Sequence, residues 1–271
     1  MIKIGQGHKS EVFQLPDGRV LKLFFPHFAS LAPVETAISD SLARAGVLAP
    51  RVGESVEVDG RPGIVFGNLK VGQTLSNAIR TKPWQIVAVA RDLARLHADV
   101  HECSSRELPS QRTRLEEEIR ASVGPTEEAR SAALRALGEL PAGESVCHND
   151  IHGLNVIVYP GGSMIIDWVL ATRGNPLADV ATGVLQLRFG EQPRGFVASL
   201  AQELGRAVFW RAYLRRYLEL RPCCAGELAG WELPVAVALA GRREGRMRRQ
   251  LLQRIEYLMR SGRGQARQVA T

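Results

Sequence analysis

The stretch Cys147-His148-Asn149-Asp150-Ile151-His152-Gly153-Leu154-Asn155 carries a histidine, an aspartate two residues on and an asparagine five beyond that. An apolar strand follows and ends in Ile165-Ile166-Asp167-Trp168. Residues of these types at this spacing suit phosphoryl transfer. That reaction needs a carboxylate beside the attacking hydroxyl and hard oxygen ligands for the Mg²⁺ that neutralises the β- and γ-phosphates. Asp150 is the candidate for the first, with His148 orienting its loop, and Asn155 and Asp167 are candidates for the second. Near the N-terminus, Gly5-x-Gly7-x-x-Ser10-x-Val12 has the spacing of a loop that lays backbone N–H groups over phosphate oxygens. Lys22, in Val20-Leu21-Lys22-Leu23, fits a strand lysine that reaches the α- and β-phosphates. Glu35, in the first turn of the next helix, fits its ion-pair partner, because burial without a carboxylate drives a lysine toward its neutral form.

Each of these residues has an ordinary alternative. Asp150 and Asp167 could cap a turn, Lys22 could be a solvated strand lysine, and Glu35 could serve only the helix dipole. His148 reads as a core histidine in either case. His152 is open between packing and phosphate contact, and His97 reads as a satisfied core residue. What separates the readings is the combination, since one bland cap does not explain four spaced matches.

On these residues the chain resembles the aminoglycoside phosphotransferase / choline kinase-like family, whose catalytic loop reads like His-Gly-Asp-Leu-His-Pro-Gly-Asn. His148, Asp150, His152 and Asn155 match that loop, and Ile166-Asp167-Trp168 matches its metal-binding strand end. Gly174-Asn175-Pro176-Leu177-Ala178-Asp179 is similar to the family's Gly-x-Pro-x-x-Asp segment. The resemblance implies that Asp179 braces the catalytic loop. It also implies ATP or GTP as donor, Mg²⁺, a small hydroxyl compound as acceptor, and a bilobal, protein-kinase-like α+β fold. Asn149, Gly153 and Leu154 depart from the pattern, at positions that shape the loop. A catalytically weak nucleotide-binding homologue is the runner-up.

The elements that must position these groups follow from patterning. Residues 2–4, 11–15 and 19–25 read as strands, with Pro16-Asp17-Gly18 as a turn. Val34, Ala37, Ile38, Leu42 and Ala45 share a helical face, with Pro33 in the first turn and Gly46 as the stop. Strands at 52–58 and 63–66 meet at Asp59-Gly60. A small β-sheet lobe, residues 1–68, then gives way to a helical lobe, 69–271, with Gly67 and Leu69 lining the nucleotide at the hinge. Helices are expected over 84–100, 112–122 and 126–138, and a hairpin over 156–166. From about residue 176 to 260 the chain is expected to be helical, with no internal repeat.

Composition narrows the class. Apolar residues make up 45% of the 271, so a folded domain is expected. The N-terminus carries no targeting pattern and no run spans a bilayer, so the expectation is a cytoplasmic protein with no membrane partner. Cys103, Cys147, Cys223 and Cys224 lack metal-ligand spacing and read as free thiols. The net charge of +7 resides in residues 241–271, which hold nine arginines against Glu244 and Glu256. Met247, Leu251, Leu252, Ile255, Leu258 and Met259 recur there at helical spacing, so an amphipathic helix with a solvated arginine face is expected, and no specific nucleic-acid partner. From 180 to 240, seven arginines stand against five glutamates, a poor match for a polycationic acceptor.

Overall fold

The computed structural model describes residues 1–67, 69, 72–190 and 196–269. Asn68, at the centre of the expected hinge, lies outside them. Five antiparallel strands form the N-terminal sheet: β1 (Ile2–Gln6), β2 (Ser10–Gln14), β3 (Val20–Phe24), β4 (Val52–Val58) and β5 (Arg61–Phe66), in the order β1-β2-β3-β5-β4. Helix α1 (Leu31–Arg44) joins β3 to β4. It ends where Gly46 takes a φ of 77°, with Val47 N bonding Leu42 O and Gly46 N bonding Ala43 O, so glycine closes the helix by a left-handed turn. Its buried face differs from the expected stripe. Val34 is exposed, while Ala32, Glu35, Ile38 and Leu42 turn inward. The helix begins at Leu31, so Glu35 falls in its second turn, and an ionic partner rather than hydropathy draws it inside.

The remainder is mostly helical. It comprises β6 (Gln73–Thr74), α2 (Leu75–Thr81), α3 (Ile86–Glu102), α4 (Gln111–Ala121), α5 (Glu127–Glu139), β7 (Ser145–Cys147), β8 (Val156–Tyr159), β9 (Gly162–Ile165) and β10 (Thr172–Gly174), then α6 (Pro176–Phe189), α7 (Phe196–Leu220), α8 (Ala225–Arg242) and α9 (Gly245–Val269). Two short ladders matter most for function. β7 pairs with β10, Cys147 opposite Thr172, and β8 pairs with both β9 and β6. Together they present the 148–155 loop and the 166–171 turn side by side. β6, α2, β7 and β10 were not expected from the sequence. They are two to seven residues long, too short to show a period.

Two cores hold the helices. One joins α1, α3, α6 and α7 around Leu93, Ile151, Tyr213 and Tyr217. The other centres on α8, whose run from Val235 to Ala240 is buried on every side, as an all-apolar helix should be. Among the described residues no helix is long and apolar enough to cross a membrane. The four cysteines are free thiols.

The basic tail is helical, and most of its expected stripe turns inward: Met247, Leu251 and Ile255 are buried against α8, with Leu252 and Met259 packed beside them, while Leu258 is half-buried outside this cluster. Its arginines are less solvated than expected. Arg248 donates to the carbonyl of Val123, Arg254 pairs with Glu232 at 2.7 Å, and Arg242 and Arg243, which precede α9, turn into the protein. Leu251→Ala or Ile255→Ala should cost about 2–5 kcal/mol. Calorimetry should read this as a fall of several degrees in Tm, whereas Arg249→Gln, on the exposed side, should change Tm little.

Candidate active site

The site is built on a carboxylate with no solvent exposure. Asn175 caps α6, its Oδ1 accepting from Leu177 N at 2.9 Å, and Pro176 starts the first turn. Asp179 follows on the inward face. Its Oδ2 accepts from His148 N at 2.5 Å, His97 Nε2 at 3.1 Å and His101 Nε2 at 3.3 Å, and its Oδ1 from Asn149 N at 2.8 Å. Tyr213 and Tyr217, both on α7, donate their hydroxyls to Nδ1 of His97 and His101 at 2.6 Å each. Each ring thus accepts at Nδ1 and donates at Nε2, which a neutral imidazole does in one tautomer. Burial, with His97 beside it, pushes the His101 ring down to about 3. Burial alone would push Asp179 up; the two histidines outweigh it and hold the carboxyl well below its usual range. His97, His101 and Asp179 offer three ligand atoms within 4.8 Å of one another, yet the protons they share already satisfy all three.

The brace fixes the backbone at the start of the loop. His148 is buried, bonds Ile166 O through Nε2 at 3.0 Å, and accepts Asp150 N at Nδ1 at 3.2 Å. Asn149 has a φ of 62°, a left-handed conformation that asparagine tolerates better than most residues. Its amide nitrogen lies 2.8 Å from Thr172 Oγ1 and 3.0 Å from Leu170 O, and its oxygen accepts from Gln111 Nε2 at 3.2 Å. This accounts for asparagine where the resemblance leads one to expect glycine. Gly153 answers a different constraint: a Cβ there would lie 2.4 Å from Ser76 Oγ, and Gly153 O accepts Ser76 N at 2.9 Å. Helix α2 therefore buttresses the loop. Leu154 is exposed.

Asp150 emerges from this frame with both oxygens engaged. Oδ1 accepts from Gln186 Nε2 at 2.7 Å and Arg243 Nη2 at 2.6 Å. Oδ2 accepts from Asn155 Nδ2 at 3.2 Å and lies 3.6 Å from His152 Nε2. Burial would raise its pKa, but His152, Arg243 and His148 together hold the carboxyl far below its ordinary value. Gln186 sits seven residues, two turns, after Asp179 on α6, a spacing from which its shared face could have been read. Arg243 had no such signal, because the junction of α8 and α9 brings it across 93 residues.

A second group forms opposite. Lys22 Nζ lies 2.7 Å from Glu35 Oε2 and 2.9 Å from Asp167 Oδ1. Burial lowers the lysine's pKa, but the two carboxylates raise it further, so it stays charged. Burial pushes Asp167 up, and Lys22 more than reverses that. Asp167 also adopts φ 62°, which turns the chain sharply after β9. Ile166 N bonds Asn155 O at 2.9 Å, which places Asn155 beside the Asp167 turn.

Gly5 lies in β1 opposite Val12 and Gly7 in the β1–β2 turn, an added Cβ at either would meet nothing nearer than 3.8 Å, and Gly7 N bonds Ser10 O. Ser10 opens β2, opposite Phe24 of β3, the strand that carries Lys22. Gly67 ends β5 and bonds Arg51 O at 3.1 Å. Leu69 packs on Phe24, Ala32, Ile64 and Phe66. The structure thus gathers Lys22, Glu35 and Asp167 into one group and His148, Asp150, Asn155 and Asp179 into another. The glycines, Ser10 and Leu69 lie on the sheet, outside both.

The sequence model of the phosphotransferase enzyme family matches residues 2–223. No curated protein matches the chain. Several solved structures share its fold. A thermostable mutant of the aminoglycoside phosphotransferase APH(4)-Ia is 16% identical, with a TM-score of 0.64 over 96% of this chain and 94% of its own. The aminoglycoside phosphotransferase APH(3'')-Id from Streptomyces rimosus is 18% identical, with a TM-score of 0.56 over 84% and 89%. Choline kinase from Cryptosporidium parvum is 13% identical, with a TM-score of 0.56 over 98% and 89%.

Removing the brace tests the site's foundation. Asp179→Ala leaves two backbone N–H groups and two histidine rings without an acceptor in the interior. A loss of about 3–5 kcal/mol is expected. Chemical denaturation should show it as a lowered midpoint, and an unchanged midpoint would refute the brace.

Proposed function

The chain belongs to the phosphotransferase enzyme family, and on that premise we propose that it is a small-molecule kinase. The reaction moves the γ-phosphoryl group of ATP, or of GTP, onto a hydroxyl of a small acceptor in the cytoplasm, with Mg²⁺. The observation that carries this reading is the pair of carboxylate groups described above. One carboxylate, Asp150, is held rigidly by its loop, and the other, Asp167, stands beside a charged lysine.

In this reading Asp150 takes the proton of the acceptor hydroxyl as its oxygen attacks the γ-phosphorus. The new O–P bond forms as the bond to the β–γ bridging oxygen breaks, which releases a phosphate monoester and the nucleoside diphosphate. Lys22, held charged by Glu35, meets the α- and β-phosphates, and Gly5, Gly7 and Ser10 lay backbone over them. Gly67 and Leu69 flank the base at a hinge between lobes 1–68 and 69–271. His148 and Asp179 act only by positioning the loop.

The residues present fit a Mg²⁺ ion. Asp167 is a carboxylate with one oxygen on Lys22 at 2.9 Å and, among the described residues, no hydrogen bond on the other, and its side chain is 36% exposed. Asn155 gives its amide nitrogen to Asp150, which leaves the carbonyl oxygen as its ligand atom. Hard oxygen donors of this kind are what the ion prefers, and when bound it supplies charge neutralisation on the β- and γ-phosphates. Specific nucleic-acid binding is not part of the proposed function: the tail's apolar stripe packs on α8, and Arg246, Arg248, Arg254 and Arg260 have partners within the protein.

A nucleotide-consumption screen against hydroxylated metabolites and antibiotics tests the proposal. With an acceptor in hand, Asp150→Ala should lower kcat by about 10²–10⁴ while nucleotide affinity stays within a few-fold of the parent. Near-normal turnover would refute Asp150 as the base. Asp167→Asn should raise the Mg²⁺ concentration needed for nucleotide binding, since an amide is a poorer ligand for a hard cation. A Mg²⁺ titration with an unchanged midpoint would remove Asp167 from the metal site.

A further inference from the structure

On the kinase reading above, we infer that the acceptor is an alcohol carrying an oxyanion, a carboxylate or a phosphate, and that Arg243 selects it. Oδ1 of Asp150 already holds Gln186 Nε2 at 2.7 Å and Arg243 Nη2 at 2.6 Å. Oδ2 holds Asn155, which is also bonded to the Asp150 carbonyl at 3.0 Å, with His152 at 3.6 Å. An incoming hydroxyl must take one of these places. Gln186 and Asn155 are buried, at 3% and 7% exposure, and are fixed by their own elements. Arg243 has a side chain 30% exposed, on the junction between two helices, so it is the partner able to yield.

Yielding leaves the guanidinium without a counter-charge. Among the described residues Asp150 is the only carboxylate paired with Arg243. Glu118, which pairs with the adjacent Arg242, is also held by Arg114, and Glu244, next in sequence, is exposed to solvent. A polycationic or neutral acceptor would therefore displace Arg243 at the full cost of separating a largely desolvated ion pair. An acceptor with its own oxyanion replaces what it removes, as guanidinium groups bind carboxylate and phosphate in the same fork geometry.

A second observation points the same way. Among the described residues, Gln186 Oε1 and Arg243 Nε are buried without a hydrogen-bond partner; the Nε atoms of Arg173, Arg216 and Arg242 are too, but these two belong to the side chains that hold Asp150. One is an acceptor at the far end of the amide that holds Asp150, and the other is a donor on the guanidinium. A polyhydroxy acid or a sugar phosphate meets both, a spare hydroxyl donating to Gln186 and the oxyanion accepting from Arg243. The chemistry is that given above, and the oxyanion passes through unchanged: the reacting oxygen bonds to the γ-phosphorus, its proton goes to Asp150 and the nucleoside diphosphate leaves.

The test is nucleotide consumption on matched pairs: gluconate against glucose, glycerate against glyceramide, and glucose 6-phosphate against glucose. Streptomycin and hygromycin B form the cationic arm. The anionic member of at least one pair should have kcat/KM about tenfold or more above its neutral partner, and the carboxylate and phosphate pairs distinguish the two oxyanions. Arg243→Gln should shrink that ratio about ten- to hundredfold, mainly through KM, and Arg243→Lys should restore part of it. A purely structural arginine would lower both members alike, and that result overturns the inference. So does equal or better turnover of neutral or cationic acceptors. So does failure of every anionic compound either to react or to raise the melting temperature of the nucleotide-bound enzyme. The kinase reading is judged separately, by Mg²⁺-dependent nucleotide binding that weakens in Asp167→Asn; its failure would appear as no nucleotide binding at all.

Discussion

A buried carboxylate tolerates the loss of water only when hydrogen-bond donors replace it, and Asp179 is the point where this fold meets that demand. Its four donors come from two places, the start of the 148–155 loop and the inner face of α3. Two tyrosines of α7 then fix the orientation of the α3 histidines. One charge therefore ties three helices and a loop together, and no member of the set can move without orphaning another. The loop begins at a defined height and angle because its first two N–H groups end on this carboxylate. Everything downstream, from the His148 ring to the Asp150 carboxyl, inherits that placement.

The catalytic-loop residues were legible in the sequence because chemistry constrains their types and their spacing at once. Their supports were less legible. His97 could be read only as a core residue, since its partner lies 82 positions away on another helix. Arg243 looked like one charge in a basic tail, because periodicity assigns a side chain to a helix face but says nothing of a residue at a helix junction. Glu35 was found as an ion-pair partner, yet the apolar face of α1 was misplaced by it: Val34 is exposed so that the neighbouring carboxylate can face Lys22. The short ladders β7–β10 and β6–β8 were not seen at all, for they consist of two or three residue pairs each.

The electrostatics divide along the two carboxylate groups. Lys22 serves Glu35 and Asp167 together, so one cation balances two acids, and an incoming divalent ion would supply the missing charge at Asp167. Asp150 differs, with one cation, Arg243, against one carboxylate. The acid-rich side is where a polyphosphate with its cation is proposed to sit. Arg243 is the cation proposed to meet the acceptor. On the proposal above, an oxyanion-bearing alcohol takes the place of Asp150 on Arg243 as it enters, so that pair stays balanced.

The path from Asp167 to Asp179 shows why such a site would need no separate switch. A 3₁₀ turn at Trp168–Leu170 follows Asp167 directly, Trp168 bonds Ile165 O through its ring nitrogen at 2.9 Å, and β10 then pairs with β7 before Asn175 caps α6. Each residue of this span has a structural task. A Cβ on Gly174 would fall 2.2 Å from the Gln111 amide that holds both Asn149 and Asn175 N, so the route is fixed to within a methyl group. A segment ordered by phosphorylation must have a disordered state to leave, and this one has no spare length for it. Asp167 and Asp150 are held instead by folding itself, through the same ladder and the same buried carboxylate. On the proposal above, control of the reaction then falls to what reaches Asp150, the carboxylate that Arg243 holds.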